Sequence, residues 1–185
     1  MFQENQSRNR FIASAAVIAA VYAVLTITLS WLSYGPVQFR VAEALTVLPF
    51  LTPAAIPGLF VGCVIANFFS PVPVTLVDVA VGSFATLLAA FLTSRMPNRW
   101  LAPIPPILCN AVLVGAELSF MYKLPLWGTV LSVGAGEAVV CLAGGYLLLA
   151  ALQPVLKTLS VRLHVPLYPE RLAPSGKKEP HNILR

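Results

Sequence analysis

Long apolar runs, separated by short stretches of proline, glycine and charged residues, make up most of this chain. The breaks include the turn at Tyr34-Gly35-Pro36 and the prolines Pro71 and Pro73. A membrane-spanning helix needs about 20 apolar residues, so most of these runs are long enough to cross a bilayer. The six predicted helices cover residues 11–33, 39–51, 54–70, 74–95, 101–121 and 126–152. The second and third are the shortest, and an alternative joins them into one broken span, which gives five.

Composition indicates the same class of protein. Of 185 residues, 58% are hydrophobic and only 10% are charged, and the mean hydropathy is +0.82. A soluble domain carries about 25% charged residues. The chain is therefore predicted to be an all-α integral membrane protein, a compact bundle of six transmembrane helices without a large soluble domain.

The positions of lysine and arginine favour six spans over five. Cytoplasmic loops and tails beside spans are enriched in these residues. With six spans and a cytoplasmic N-terminus, ten of the twelve basic residues are cytoplasmic, and only Arg40 and Lys123 lie outside. We expect a cytoplasmic N-terminal tail at 1–10, a membrane domain at 11–152 and a flexible cytoplasmic tail at 153–185, in the cell membrane.

Four of the seven acidic residues lie inside predicted spans, namely Glu43, Asp78, Glu117 and Glu137. A charged side chain at the centre of a bilayer costs about 2.5–3.5 kcal/mol on insertion scales, and such residues usually mark a functional site. Glu137 lies about 16 Å into the last predicted span at 1.5 Å per residue. On the six-span topology all four lie in the outer half of the membrane or near its midplane.

Other polar residues of the spans fall on the same side: Gln38, Arg40, Asn67 and Asn110. The predicted site is a pocket open to the outside and sealed towards the cytoplasm. Structural ion pairs are the alternative, because Arg40 can pair with Glu43 three residues away or with Asp78 between helices. Since Arg40 is the only basic residue at that depth, a remaining acid indicates a ligand that donates hydrogen bonds or carries positive charge.

Aromatic residues also concentrate on the predicted outer side. Most are expected to form an interfacial belt, and one or two can stack on a planar ligand. The set comprises Trp31, Tyr34, Phe39, Phe68, Phe69, Phe120, Tyr122 and Trp127.

The first predicted helix carries small residues at four-residue spacing instead of buried charge. Such a stripe allows another helix to approach closely. Two interpretations remain open, a contact inside the bundle and a docking face for a partner membrane protein. The residues are Ala15, Ala19 and Ala23, with Ala16 and Ala20 beside them.

Patterns for catalysis, metal or nucleic-acid binding are missing from the sequence. The two histidines, His164 and His181, lie after the last span, and the three cysteines follow no metal-ligand spacing. We interpret Cys63, Cys109 and Cys141 as small buried hydrophobic residues. There is no G-x-x-x-x-G-K-[ST] phosphate loop, so ATP hydrolysis would require another chain. No cofactor, metal or nucleic acid is expected.

Three segments carry a family resemblance: QFRVAEALTVLPF at 38–50, AIPGLFVGCVIAN at 55–67 and DVAVGSFATLLAA at 78–90. They resemble the queuosine-precursor transporter family, and the likeness extends over about residues 8–155. It implies the substrate-binding S component of an energy-coupling factor (ECF) importer, a six-helix bundle that works with a transmembrane coupling protein and two ATPases. It also implies that the small residues of the first helix contact the coupling protein.

The resemblance implies 7-deazaguanine bases as ligands. Their guanine-like edge presents adjacent N–H and NH₂ donors, which one carboxylate can accept through strong charge-assisted hydrogen bonds. We expect Glu137 and Glu117 to recognise the base together with Asn110. Asn67, Asn110 or Gln38 would meet its carbonyl and ring nitrogen. The expected role of Arg40, Glu43 and Asp78 is to close or brace the outer rim.

Two other functions remain alternatives. Acids inside a membrane commonly relay protons, which would suit a proton- or ion-coupled carrier for a small polar or cationic metabolite. Such carriers usually contain internal repeats, and none is visible here. The other alternative is a purely structural membrane subunit, which retention of a ligand would exclude.

Overall fold

The computed structural model of the protein describes residues 2–33, 39–69, 76–163 and 167–168. Within these ranges every regular element is helical, and no strand occurs. We number six helices in chain order: α1 (Phe2–Thr28), α2 (Val41–Phe50), α3 (Ala55–Phe68), α4 (Leu76–Ser94), α5 (Ile104–Tyr122) and α6, which comprises Leu126–Ala138, Val139–Gly144 and Gly145–Leu163. A single helical turn, Ser30–Ser33, follows α1.

Four helices in the described ranges are long and apolar enough to cross a membrane: Asn5–Thr28, Leu76–Ser94, Ile104–Tyr122 and Leu126–Leu152. The prediction of an all-helical membrane protein is therefore confirmed. The other two, α2 and α3, have 10 and 14 residues. Both fall short of the roughly 20 residues that a regular α-helical span needs, so the count of six spans remains a prediction.

Helix α2 is a 3₁₀-helix over its whole length. Pro49 lies inside it, and a proline there lacks the N–H of the α-helical pattern and clashes with the carbonyl four residues earlier. The Thr46 hydroxyl also donates to the backbone oxygen of Glu43 at 2.5 Å. Because a 3₁₀-helix rises about 2.0 Å per residue, the ten residues reach about 20 Å.

Helices α5 and α6 each contain a π-helical segment, at Asn110–Val114 and Val139–Gly144. Such segments are rare and often lie at functional sites. Each one holds or adjoins a predicted site residue, because Asn110 opens the first and Glu137 lies two positions before the second. The irregular parts of the helices therefore coincide with the polar positions.

Helix α1 packs closely on α3 through small residues on both sides. A Cβ atom added to Gly58 would lie 2.7 Å from the backbone oxygen of Ala15, and one added to Gly62 would lie 2.8 Å from that of Ala19. Ala19 and Ala23 are buried. The row from Ala15 to Ala23 therefore makes a contact inside the bundle, the first of the two interpretations.

A second apolar cluster closes the bundle at the junction of α2 with the α4–α5 loop and α6. Its buried members include Val47, Phe50 and Leu149, and Leu167 packs against it. The backbone N–H of Tyr168 donates to the oxygen of Leu51 at 2.9 Å. Residues 167–168 therefore contact the bundle. Helix α6 itself continues to Leu163, beyond the predicted end at 152.

Candidate functional site

Glu43 lies at the centre of the polar cluster and is fully buried. Its Oε1 atom accepts a hydrogen bond from the Tyr22 hydroxyl at 2.5 Å. The same oxygen lies 4.0 Å from Nη1 of Arg40, which forms an ion pair one turn away on the chain. Helix α1 and the start of α2 therefore both hold this one carboxylate oxygen.

Glu137 joins Glu43 through two neighbours. The Asn110 amide lies close to both carboxyl groups. The Cys141 thiol, one turn from Glu137, lies 3.6 Å from its Oε2 and 3.6 Å from the backbone oxygen of Glu43. Residues from α2, α5 and α6 thus form one buried polar centre.

Glu117 and Asp78 form a second acidic group beside the first. Their side chains, from α5 and α4, lie within hydrogen-bonding reach of each other. Two carboxyl groups form such a bond only when one of them carries a proton. The Arg40 guanidinium lies close enough to interact electrostatically with Glu43, Glu117 and Glu137. It is the only buried cation among the described side chains.

Asn67 reaches the cluster from α3. Its amide donates to the Cys63 thiol at 3.5 Å, which also accepts from the Thr86 hydroxyl at 3.4 Å. A Cβ atom added to Gly82 would lie 3.0 Å from the amide nitrogen of Asn67, so this glycine leaves the amide its space. The Cys63 thiol is in turn within hydrogen-bonding reach of Tyr22.

Some buried polar atoms make no hydrogen bond within the part of the chain that the structure describes. They include Oε2 of Glu43, Oε1 of Glu117 and Oγ of Ser83. Buried polar groups in folded proteins nearly always have a partner, so each exception needs an explanation. Two of these three are carboxylate oxygens, which accept hydrogen bonds from a donor.

Most of the predicted site residues come together in this cluster. The structure joins Arg40, Glu43, Asn67, Asp78, Asn110, Glu117 and Glu137. Gln38 lies outside the described residues. The role of Glu43 in closing or bracing the outer rim stays a prediction, and its side chain is fully buried beside Asn110. Of the aromatic residues predicted for an interfacial belt, Phe39 is partly buried and Tyr34 lies outside the described residues. The others are at least 60% exposed: Trp31, Phe68, Phe69, Phe120, Tyr122 and Trp127.

Sequence reasoning missed several residues of the cluster. Tyr22 lies in an apolar helix and shares with Ala19 the face that packs on α3. Because a buried tyrosine hydroxyl usually has a hydrogen-bond partner, this residue was the one available sequence signal for the contact. Cys63 and Cys141 are buried as predicted. They also contact the polar groups, so they are more than small hydrophobic residues.

Comparison with known proteins places this arrangement in a family. A family model described as the QueT transporter matches residues 12–154. The queuosine precursor transporter QueT of Lactococcus lactis subsp. cremoris is 44% identical over 84 residues, which cover 44% of this chain and 48% of that protein. The chain thus spans about half the length of this curated relative. No solved structure matches the chain. Because the family match covers all four spanning helices except the start of α1, the chain belongs to the QueT transporter family.

Proposed function

We propose that this protein is the substrate-capture S component of an ATP-driven ECF importer for queuosine precursors. It would bind a 7-deazaguanine base in a pocket that faces outward, with six spans and both termini in the cytoplasm. The relative's name supports the substrate class. The orientation is supported by the basic residues, ten of which fall on the cytoplasmic side in this topology.

The observation that carries this proposal is the pair of buried carboxylate oxygens without a partner in the described residues, on Glu43 and Glu117. A guanine-like edge offers adjacent ring N–H and NH₂ donors, and hydrogen bonds to charged acceptors are roughly twice as strong as neutral ones. Glu137 and Glu117 are the proposed acceptors for the base, with Asn110 between Glu137 and Glu43.

The acids outnumber the cations at the site, which favours a ligand with positive charge. Arg40 is the one buried cation among the described side chains, and it faces three glutamates. An aminomethyl substituent on the base is a cation at neutral pH, and the Glu117–Asp78 pair is a second acidic group that would bind it. Asn67 is the proposed partner of the base carbonyl.

The proposed partners are a transmembrane coupling protein and two ATPase subunits. Contact with the coupling protein is assigned to the first helix. Because Ala15, Ala19 and Ala23 pack towards α3, the proposed contact is now Ala16 and Ala20, which are exposed. Exposed small residues permit close helix approach in a membrane.

Mass spectrometry of small molecules retained after purification in detergent tests the capture function. We expect a 7-deazaguanine to be retained and 7-aminomethyl-7-deazaguanine to bind. A hydrogen bond to a charged group contributes about 1.5–3 kcal/mol, so Glu137→Gln and Glu117→Gln are each expected to weaken binding by about 10- to 100-fold. Unchanged affinity in both variants would refute the assignment of these two acids.

A proton- or ion-coupled carrier is the second candidate, and the contact between Glu117 and Asp78 favours it because paired acids can relay protons. Reconstitution separates the two functions. An ECF component needs the coupling protein, the ATPases and ATP for uptake into vesicles. Uptake by the chain alone, driven by a proton or ion gradient, would support the carrier instead.

A further inference from the structure

Tyr22 connects helix α1 to the polar cluster. Its side chain is fully buried, and its hydroxyl donates to Oε1 of Glu43, 21 positions later in the chain. Neither the family match nor the sequence pattern gives this residue a role. The hydroxyl of Tyr22 therefore links α1 to the carboxylate of Glu43.

The ring of Tyr22 is held in place by the close contact of α1 with α3. A Cβ atom added to Gly62 would lie 3.0 Å from the Cβ of Tyr22, so the two helices leave no space for a larger residue there. One turn later the Thr26 hydroxyl donates to the backbone oxygen of Tyr22 at 2.9 Å. The position of the hydroxyl is therefore determined by how α1 packs on α3.

The two oxygens of Glu43 have different surroundings. Oε1 has the Tyr22 hydroxyl at 2.5 Å and the Arg40 guanidinium at 4.0 Å. Oε2 is buried and makes no hydrogen bond within the described residues. A carboxylate fixed through one oxygen presents the other in a defined direction. Preorganised acceptors bind more tightly because less conformational freedom is lost on binding.

We propose that Tyr22 is a positioning residue for ligand recognition, which holds Glu43 so that its Oε2 atom accepts a hydrogen bond from the captured ligand. This inference rests on the proposed capture function. It has a consequence for α1, because a shift of that helix relative to α3 would remove the hydroxyl from Oε1. Ligand affinity then depends on how α1 packs on α3.

Tyrosine-to-phenylalanine variants test the proposal, because they remove one hydroxyl and keep the ring. Tyr22→Phe is compared with Tyr146→Phe in α6, because the wild-type Tyr146 hydroxyl donates to the backbone oxygen of Trp100 at 2.6 Å. Binding of 7-aminomethyl-7-deazaguanine to the full-length chain in detergent is measured by calorimetry, and thermal unfolding is measured without ligand. We expect about a tenfold loss of affinity for Tyr22→Phe and less than a twofold change for Tyr146→Phe.

A double-mutant cycle with Glu43→Gln separates positioning from general structural damage. If Tyr22 acts through Glu43, Tyr22→Phe costs much less affinity in the Glu43→Gln background than in the wild-type protein. Equal losses in both backgrounds, or equal affinities for Tyr22→Phe and Tyr146→Phe, would overturn the inference and leave the capture function standing. Failure of the wild-type chain to bind the probe would overturn both.

Discussion

The contact between α1 and α3 gives a sharp prediction for Gly62→Ala. The added methyl group would lie 2.8 Å from the backbone oxygen of Ala19 and 3.0 Å from the Cβ of Tyr22. Carbon atoms in contact are normally about 3.5–4.0 Å apart. Both neighbours are close to the backbone, so neither can rotate away, and the two helices must separate by several tenths of an ångström.

The expected cost follows from two opposing terms. Overpacking a well-packed core typically costs about 1–3 kcal/mol. Replacing a glycine inside a helix by alanine returns about 0.5–1 kcal/mol. Gly62→Ala is therefore expected to destabilise the protein by up to about 2.5 kcal/mol, since the difference of these two ranges runs from about 0 to about 2.5 kcal/mol.

Gly128→Ala is the matched control, because it makes the same change in another helix without a close neighbour. The nearest atom to its added Cβ is the Cβ of Pro125 at 3.9 Å, an ordinary contact. Only the helix term applies, so this variant is expected to be neutral or stabilised. Thermal unfolding in one detergent measures both, at about 2–4 °C per kcal/mol for a chain of this size. The close contact is refuted if Gly62→Ala unfolds at or above the temperature of Gly128→Ala.

Two further predictions concern stability. Arg40→Gln removes the cation paired with Glu43 and is expected to lower the free energy of unfolding by about 3 kcal/mol or more. The control is Arg95→Gln, at an exposed site over the Phe91 ring, which is expected to lower it by less than about 1 kcal/mol. Equal unfolding temperatures would contradict this. Thr93→Val removes the hydroxyl that donates to the backbone oxygen of Ala102 at 3.2 Å, and it is expected to destabilise the protein by about 1–3 kcal/mol. The affinity for the probe is expected to stay unchanged. A loss of binding would contradict this, because it would show that this end of the bundle affects the polar cluster.

The sequence was sufficient to predict the helices and the clustering of the acids. Apolar runs bounded by prolines and charges mark helices in a membrane protein almost directly, because every backbone polar group must be bonded internally there. A carboxylate inside such a run avoids lipid because its charge is costly there, so it faces the interior of the bundle. The energetic cost of burying charge in a membrane was therefore enough to predict that Glu43, Glu117 and Glu137 lie together.

The pairing of these acids was not predictable, because it depends on how each helix is rotated about its axis. Lipid-facing and core-facing positions are both apolar, so hydrophobicity does not show which face of α1 carries Tyr22 inward. A usable signal for the α1–α3 contact was present, since Gly58 and Gly62 repeat the four-residue spacing of Ala15 and Ala19. The 3₁₀ and π segments had no comparable signal.

The π-helical segment Val139–Gly144 lets α6 absorb the loss of one residue without a change of register. A π turn uses one residue more than an α turn, while each residue of an α-helix advances the side-chain direction by about 100°. Glu137 lies on the N-terminal side of this segment, and Leu149 of the second apolar cluster lies on the C-terminal side. Loss of one residue between them would let the segment become α-helical and keep both faces inward. In a regular helix the same deletion would turn one of these side chains towards lipid, so the π segment gives this helix a tolerance to deletion at the level of the polar cluster.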